Sequence, residues 1–420
     1  MRTPTLGFKL SQAALNTASP PISQAFLWAT QYVPTPGRPL LDMSQGSPGY
    51  PPPKILLDTI ATASANPRSC GYLPNAGDPL LREALANEMK TVYGKDIDVQ
   101  TEDISLTAGC NMAFVAAIRS VTDAGDEVIV PAPWYFNHQM SLDMLDIKTI
   151  PLPTSPSDGF LPSPHVCGTL VTPKTKAIVL VTPNNPTGAV YPPSLIASFG
   201  MLAKQHGVVL IIDETYRDFV TTGVPHELFA TSSLLSDDWS WRSHFIHLFS
   251  FSKSYCVPGH RLGAIVATPQ VLVQIDKMLD NIQICPPRPV QHGLQPLLPA
   301  LRPFIDETSQ KLLRRHQLFR SLLPRPWRIG SQGAYYAFVR HPFKNIPSLD
   351  VSRRLAMEIG VITLPSTFFL PKFMEGLRDA SEMDRWIRFS VANMDDENLQ
   401  KVCQRLASCQ DQFGWEVELE

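Results

Sequence analysis

The sequence predicts an α/β protein whose central sheet is mostly parallel. Two short stretches, residues 177–181 (AIVLV) and 208–212 (VVLII), are apolar at every position, as expected of strands buried on both faces of a sheet. Residues 195–205 lie between them and fit a crossover helix. Strands that alternate with helices are typical of parallel sheets, because a parallel neighbour can be reached only through a long crossover connection.

The same pattern extends on both sides of these elements and predicts how the chain is organised. Further strands are predicted at residues 103–109, 127–131, 245–249 and 262–267, with a helix at 111–121. Later segments predict helices at 304–322 and 351–359 and short strands at 335–339 and 387–391. We therefore expect an N-terminal arm with part of a small domain at 1–53, a large domain at 54–295, and a small α+β domain at 296–420.

Two features of the sequence predict irregular segments. The chain has 40 prolines, and clusters such as those at residues 151–164 and 286–303 are expected to be connections. Residues 1–53 show weak periodicity and many turn-forming residues, so they are expected to form an arm or an irregular opening of the chain.

Composition excludes several classes of protein. Hydrophobic residues make up 44% and charged residues 18%, which is incompatible with general disorder. Lys and Arg total 36 against 38 for Asp and Glu, so no nucleic-acid partner is expected. The seven cysteines are scattered and no apolar stretch is long enough to span a membrane, so we expect a cytoplasmic protein without a metal site.

The clearest chemical signal is a lysine that follows an apolar strand. Residues 250–263 read SFSKSYCVPGHRLG, with Lys253 between two serines and Arg261 eight residues later. A lysine that forms an imine must be neutral when it attacks, and burial near other cations lowers its pKa. The hydroxyls and the guanidinium suit a phosphate dianion. A single lysine at a strand end is more often a surface residue, so this interpretation depends on the segments around it.

Three more polar segments follow predicted strands. Asp213 ends the apolar run 208–212, Asn185 lies in the turn 181–188 (VTPNNPTG), and residues 107–111 (TAGCN) join a strand to a helix. Ligands bind at the carboxyl ends of parallel strands. A carboxylate there can keep a pyridine nitrogen protonated, and the free N–H groups of a helix start can bind phosphate. Taken singly, Asp213 could be a helix cap and the segment around Asn185 a tight turn, and one glycine at 107–111 is weak evidence for a phosphate site.

Together these segments resemble the class I/II aminotransferase family, which comprises fold-type I enzymes that depend on pyridoxal 5′-phosphate. The lysine segment, the Asn-Pro-Thr-Gly turn and the Asp-x-x-Tyr element at 213–216 have the order and spacing of that family. Segments at 43–53, 71–85 and 388–390 resemble further landmarks, so the similarity spans roughly residues 40–395. The resemblance implies a large domain with a mostly parallel seven-stranded sheet between helices, and a smaller α+β domain.

The resemblance also implies roles around the cofactor ring. Lys253 would hold the cofactor as a Schiff base and then carry the proton during catalysis. Asp213 would pair with the pyridinium nitrogen, and Asn185 and Tyr216 would hydrogen-bond the phenolic oxygen. Tyr135 would stack on the ring.

At the phosphate, the resemblance implies the backbone of Cys110 and Asn111 together with Ser250 and Arg261. Tyr72 would reach the phosphate of a neighbouring subunit, which requires a homodimer.

The substrate, by the same resemblance, would be bound by Arg388, Asn185 and Gly46. Arg388 would grip its carboxylate with two hydrogen bonds, and Gly46 would let the chain approach closely. No second arginine is assigned to a side-chain carboxylate, which favours an amino acid with an apolar, aromatic or sulfur-containing side chain over a dicarboxylate.

The resemblance therefore implies an aminotransferase that moves the amino group of an L-amino acid to a 2-oxo acid by ping-pong kinetics. The residues that hold the cofactor are shared with other enzymes, so a carbon–sulfur β-lyase and an aminocyclopropane-carboxylate-synthase-like enzyme remain alternatives. A non-catalytic protein that binds the cofactor is disfavoured by the intact set of Lys253, Asp213 and Arg388.

Overall fold

Strands and helices alternate through the first two thirds of the chain. The computed structural model describes residues 6–220, 223–371 and 380–418. The strands, in chain order, are β1 (Leu41–Asp42), β2 (Ile104–Thr107), β3 (Glu127–Ala132), β4 (Lys148–Pro153), β5 (Thr175–Val181), β6 (Val209–Asp213), β7 (Phe245–Ser250), β8 (Gly263–Val266), β9 (Arg328–Gly333), β10 (Tyr336–Arg340), β11 (Val361–Ile362), β12 (Leu364–Pro365) and β13 (Trp386–Ser390).

The helices cover the sheets on both sides. In chain order they are α1 (Gln12–Asn16), α2 (Pro21–Ala29), α3 (Lys54–Ala65), α4 (Pro79–Tyr93), α5 (Cys110–Val121), α6 (Phe136–Met144), α7 (Pro164–Leu170), α8 (Pro193–His206), α9 (Trp241–His244), α10 (Phe251–Ser254), α11 (Pro269–Ile282), α12 (Arg288–Leu294), α13 (Arg302–Leu322), α14 (Ser348–Arg354), α15 (Ala380–Met383) and α16 (Asp396–Phe413). Of the helices in the described ranges, none combines the length and apolar character needed to cross a membrane.

The large sheet has seven strands in the order β2-β8-β7-β6-β5-β3-β4. The pairs β7–β6, β6–β5, β5–β3 and β3–β4 are parallel, and β8 runs antiparallel to β7 and β2. The prediction of a mostly parallel α/β sheet is confirmed. Because β2 and β7 run in the same direction, the carboxyl ends of all strands except β8 meet at one edge.

The two faces of this sheet bury separate cores, because successive side chains of a strand point to opposite sides. In β6, Leu210 and Ile212 belong to one buried cluster and Ile211 to the other. The alternation continues past the strand, so Asp213 and Glu214 are expected to face opposite sides of the sheet.

A second, antiparallel sheet has the order β12-β13-β10-β9 and buries a third core with α13 and α16. Strand β1, from near the N-terminus, pairs in parallel with β11, Leu41 opposite Val361 and Asp42 opposite Ile362. The segment before α3 is thus tied to the C-terminal part of the chain. The domain boundaries given above stay a prediction.

Three expectations drawn from local sequence were wrong. The first three residues of the segment 151–164 are the end of strand β4, which carries Pro151 and Pro153. Since β4 is an edge strand, it needs hydrogen bonds on one side only and tolerates residues without an N–H group. Residues 286–303 contain α12, whose Pro289 lies in the first turn, where the N–H groups have no partner within the helix.

The third correction concerns residues 1–53, which were expected to form an arm or an irregular opening with little regular structure. They contain α1 and α2, and α2 starts with Pro21 and buries Ala25 and Ala29. The predicted helix 351–359 also differs in detail, because α14 begins at Ser348 and continues as a π-helical turn, Leu355–Ile359.

Candidate active site

A cavity of about 280 Å³ opens at the edge where the carboxyl ends of the parallel strands meet. Asp213 is the last residue of β6, and Lys253 lies on α10, directly after β7. Eleven residues predicted from the sequence line this cavity: Gly46, Cys110, Asn111, Tyr135, Asn185, Asp213, Tyr216, Ser250, Lys253, Arg261 and Arg388. Tyr72 does not line it and is exposed, with 78% of its surface accessible.

Lys253 reaches the cavity from the short helix α10. Its Nζ donates a hydrogen bond to the carbonyl oxygen of Gly46, in the segment that leads from β1 to α3. Burial, with the positive charges of Arg261 and Arg388, lowers the pKa of Lys253 to about 8. A substantial fraction of the amine is therefore neutral near physiological pH, as a nucleophile must be.

Asp213 is a buried carboxylate whose hydrogen bonds keep it ionised. His138 Nε2 lies 3.0 Å from Oδ2, and the backbone N–H of Thr215 donates to Oδ1 over 2.9 Å. The Cys110 thiol lies 3.7 Å from Oδ1. Burial alone would raise the pKa of Asp213, but the interactions with His138 and Thr215 outweigh it and hold the pKa below its ordinary value.

The start of α5 and Arg261 form the cationic end of the cavity. Gly109, the residue before α5, has a φ of 87°, and a Cβ there would lie 2.2 Å from Arg261 Nη2. Only glycine satisfies both constraints, because it adopts positive φ without strain and leaves room for the guanidinium. Unpaired N–H groups of a helix start attract anions. The hydroxyl-bearing Ser250 and Ser252 line the same cavity.

Arg388, on β13, is almost fully buried at 1% exposure. Its Nη1 donates to Asn185 Oδ1 over 2.7 Å, and its Nη2 donates to the carbonyl oxygen of Ser44. Its Nε has no partner among the described residues. The guanidinium lies 4.5 Å from the ring centroid of Tyr336 and 5.0 Å from that of Phe369. Because no carboxylate among the described residues pairs with it, this buried guanidinium is suited to bind the carboxylate of a ligand.

The turn after β5 is held by Asn184, the residue before Asn185. Asn184 Oδ1 accepts hydrogen bonds from the backbone N–H and the hydroxyl of Thr187, at 3.0 and 2.8 Å. Its Nδ2 donates to Tyr191 Oη over 3.3 Å. Because Asn184 satisfies the interior of the turn, the side chain of Asn185 is left to face the cavity.

The sequence did not single out His138 or Tyr336. His138 lies one helical turn after Tyr135 and stacks on Phe114, with ring centroids 3.9 Å apart. Its position in an aromatic-rich segment suggested core packing, and only the spacing of one turn from Tyr135 pointed to the cavity. Tyr336 lies within the predicted strand 335–339, and its role depends on contacts with residues distant in sequence.

These groups fit pyridoxal 5′-phosphate, the cofactor implied by the resemblance. The helix start and Arg261 would hold its phosphate, and the ionised Asp213 would pair with a protonated pyridine nitrogen. The partly neutral amine of Lys253 would react with its aldehyde. The fit rests on the chemistry of these groups: a carboxylate kept ionised in a buried site needs a cationic partner, and the phosphate end is cationic.

Comparisons with known proteins indicate the family that the sequence resembles. The family model described as aminotransferase class I and II matches residues 38–406. An aromatic aminotransferase of Arabidopsis thaliana is 26% identical over 375 residues, covering 87% of this chain and 88% of that protein. An aspartate/prephenate aminotransferase of Thermus thermophilus is 27% identical over 379 residues, covering 88% of this chain and 91% of that protein.

The solved structures give the same result. An aspartate aminotransferase from Thermus thermophilus with maleate has a TM-score of 0.81 at 25% identity, covering 96% of this chain and 99% of that chain. Since the family model spans most of the sequence and the fold agrees over nearly its whole length, this chain belongs to the class I and II aminotransferases, fold-type I enzymes that depend on pyridoxal 5′-phosphate.

Proposed function

We propose that this aminotransferase moves the amino group of an L-amino acid with an apolar, aromatic or sulfur-containing side chain to a 2-oxo acid, by ping-pong kinetics through Lys253. The observation that carries the proposal is the charge content of the cavity. Among the described residues, four charged side chains line it: Lys253, Asp213, Arg261 and Arg388. Each is assigned a role toward the cofactor or toward the Cα and α-carboxylate that all amino acids share.

The proposed roles follow from the contacts of each side chain. When bound, the cofactor supplies an electron-withdrawing ring that accepts the electron pair of the substrate Cα–H bond. Lys253 would hold the cofactor through its aldehyde, and its amine would carry the proton between the substrate Cα and the cofactor C4′. Asp213 would keep the pyridine nitrogen protonated, and the hydrogen bond from His138 keeps Asp213 ionised.

Binding of the substrate carboxylate is assigned to Arg388. Its present partners, Asn185 Oδ1 and the carbonyl of Ser44, are neutral acceptors. A carboxylate accepts two charge-assisted hydrogen bonds from one guanidinium, so it competes well with neutral acceptors for the same N–H groups. The α-carboxylate would then bind beside Asn185, the present partner of Arg388.

The preference for an uncharged side chain is supported by what remains. After the four charged residues are assigned, no further cation among the described residues lines the cavity. Ile22, from α2, and Phe136, from the start of α6, line it and belong to an apolar cluster with Phe369. Burial of an apolar substrate group against them contributes about 25 cal/mol per Å².

We also propose a homodimer in the cytoplasm. Tyr72 is exposed in a single subunit, which suits a residue that completes the phosphate site of a second copy. All seven cysteines are free thiols, as is usual in a reducing compartment.

The first experiment locates the cofactor. Purified protein is reduced with borohydride and digested, and the modified peptide is mapped. We expect the label on Lys253, its loss in Lys253→Ala, and no change in Lys54→Ala, whose side chain is exposed on α3. Full turnover by Lys253→Ala would overturn the proposal.

The second experiment identifies the reaction. The holoenzyme is incubated with a panel of amino acids, including aspartate and cysteine S-conjugates, while its absorption spectrum and released ammonia are recorded. We expect apolar, aromatic or sulfur-containing amino acids to convert the cofactor to its amine form without ammonia. Pyruvate and ammonia released from a cysteine conjugate without an oxo-acid acceptor would indicate a β-lyase, and conversion by aspartate alone would refute the side-chain assignment.

A further inference from the structure

Two buried phenols meet at the wall of the cavity. Tyr216 Oη and Tyr336 Oη lie 2.6 Å apart, and their rings are nearly perpendicular, at 80°. Burial raises the pKa of both phenols, so both are protonated at neutral pH. Each hydroxyl therefore has one proton to donate and two lone pairs that accept.

The ring of Tyr336 is fixed from two sides. The guanidinium of Arg388 lies over one part of it, 4.5 Å from the centroid. At the hydroxyl end, a Cβ on Gly46 would lie 1.9 Å from Tyr336 Oη, so the chain at Gly46 is packed against the phenol. Gly46 also accepts the hydrogen bond of Lys253. Tyr336 thus contacts Arg388 directly and Lys253 through Gly46, and these are the side chains proposed to bind the substrate carboxylate and to move the proton.

The count of protons decides the direction of the bond between the phenols. If Tyr216 donates its one proton to the phenolic oxygen of the cofactor, as proposed above, it can only accept from Tyr336. Tyr336 must then be the donor. A hydroxyl that accepts a hydrogen bond becomes a stronger donor, because successive hydrogen bonds polarise one another.

We propose that Tyr336 is a positioning residue, which donates its proton to Tyr216 and so directs the proton of Tyr216 at the phenolic oxygen of the bound cofactor. This inference rests on the proposed roles of Lys253 and Tyr216. It assigns to Tyr336 an action on the cofactor through Tyr216, without a direct contact.

A spectroscopic consequence follows. Bound pyridoxal phosphate changes its visible absorption when it gains or loses a proton beside the phenolic oxygen. The phenolic oxygen is negatively charged, and the neighbouring proton neutralises part of that charge. A hydrogen bond to this oxygen therefore stabilises the unprotonated form more than the protonated form, which lowers the pH at which the proton is lost. Weakening the bond therefore moves the pH midpoint of the absorption change upward.

The test is a double-mutant cycle on the holoenzyme, with Tyr336→Phe, Tyr216→Phe and the double variant. We expect Tyr336→Phe to raise the midpoint by about half a pH unit. The shift is small because the hydrogen bond from Tyr336 only partly strengthens the hydrogen bond from Tyr216 to the phenolic oxygen. Tyr216→Phe should raise it further. In the Tyr216→Phe background, Tyr336→Phe should have no additional effect.

Tyr255→Phe is the matched control. Tyr255 is fully buried two residues after Lys253, and its hydroxyl has no partner among the described residues. It should leave the midpoint unchanged. Thermal denaturation of each variant shows whether it is folded, and the affinity of the apoenzyme for the cofactor gives a readout that does not depend on activity.

The inference is overturned if Tyr336→Phe leaves the midpoint unchanged, lowers it, or shifts it equally in both backgrounds. These outcomes are distinct from failure of the proposed function. Failure of the proposed function would appear as unlabelled Lys253 after borohydride treatment. Failure of the present inference would leave the Lys253 label intact and change only the midpoints measured in the double-mutant cycle.

Discussion

Glu214, the neighbour of Asp213, offers a sharp test of the buried charges behind the site. Its carboxylate faces the opposite side of the sheet and accepts three hydrogen bonds at Oε2. They come from Tyr93 Oη, from His226 Nε2 at 3.1 Å and from His247 Nε2 at 2.9 Å. His226 Nδ1 accepts a hydrogen bond from a backbone N–H, so the proton that Nε2 donates is accounted for.

The change Glu214→Gln keeps the shape of the side chain and removes its charge. Hydrogen bonds to a charged group contribute about 1.5–3 kcal/mol each and neutral ones about 0.5–1.5, so three bonds lose about 3 kcal/mol together. The neutral amide costs less to bury, which offsets part of that loss. We expect a net destabilisation of about 2 kcal/mol and a denaturation midpoint lower by about 2–5 °C.

The pH dependence has a definite sign. Burial alone would raise the pKa of Glu214, but the interactions with His226 and His247 outweigh it and hold that pKa far below its ordinary value. A group whose folded pKa is depressed stabilises the protein fully above its unfolded pKa, about 4.3, and this stability is lost as the pH falls below that value. The difference between wild type and Glu214→Gln should be constant from pH 8 to about pH 5.5 and shrink below about pH 4.3.

The assay is thermal denaturation of the apoenzyme, followed by circular dichroism at several pH values. Glu397→Gln is the matched control, since the Glu397 side chain is 78% exposed and pairs only with Lys401 in the next helical turn among the described residues. That change should cost less than about 0.5 kcal/mol. Equal midpoints for Glu214→Gln and wild type at pH 7, or a difference as large at pH 3.5 as at pH 7, would refute the reasoning.

Three further predictions concern the cavity. Arg388→Lys keeps the charge but loses the planar fork, so KM for the amino acid should rise about 10- to 100-fold in steady-state kinetics; an unchanged KM would exclude Arg388 as the carboxylate ligand. His138→Asn removes a hydrogen bond that keeps Asp213 ionised, so titration of the apoenzyme should show cofactor affinity reduced about tenfold, and equal affinity would contradict this role. In the apoenzyme, Lys253 should react with an amine reagent with a midpoint near pH 8, whereas an ordinary lysine has a midpoint of about pH 10.4, and a midpoint near that ordinary value would contradict the depressed pKa of Lys253.

Much of the site could be predicted from sequence, because its residues lie next to recognisable strands. Asp213 ends an apolar run, and Lys253 and Asn185 follow two others. In a parallel sheet the carboxyl ends of the strands meet at one edge, so residues scattered over the chain are brought together by a rule that sequence alone can apply. The sequence also determined the fold class. Runs that are apolar at every position must be buried on both faces of a sheet, which is typical of parallel sheets covered by helices.

The tertiary structure alone decided which side chains contact one another across the sheet. His138 reaches Asp213 from α6, and Tyr336 reaches Tyr216 across 120 positions of sequence. Such pairs depend on strand order and on the angle at which each helix packs, which no local periodicity encodes. The edge position of β4 likewise follows from sheet order, and it explains why a proline-rich segment forms a strand there. Local sequence thus determined that Asp213, Lys253 and Asn185 lie next to the carboxyl ends of strands. Long-range packing determined which side chains they contact.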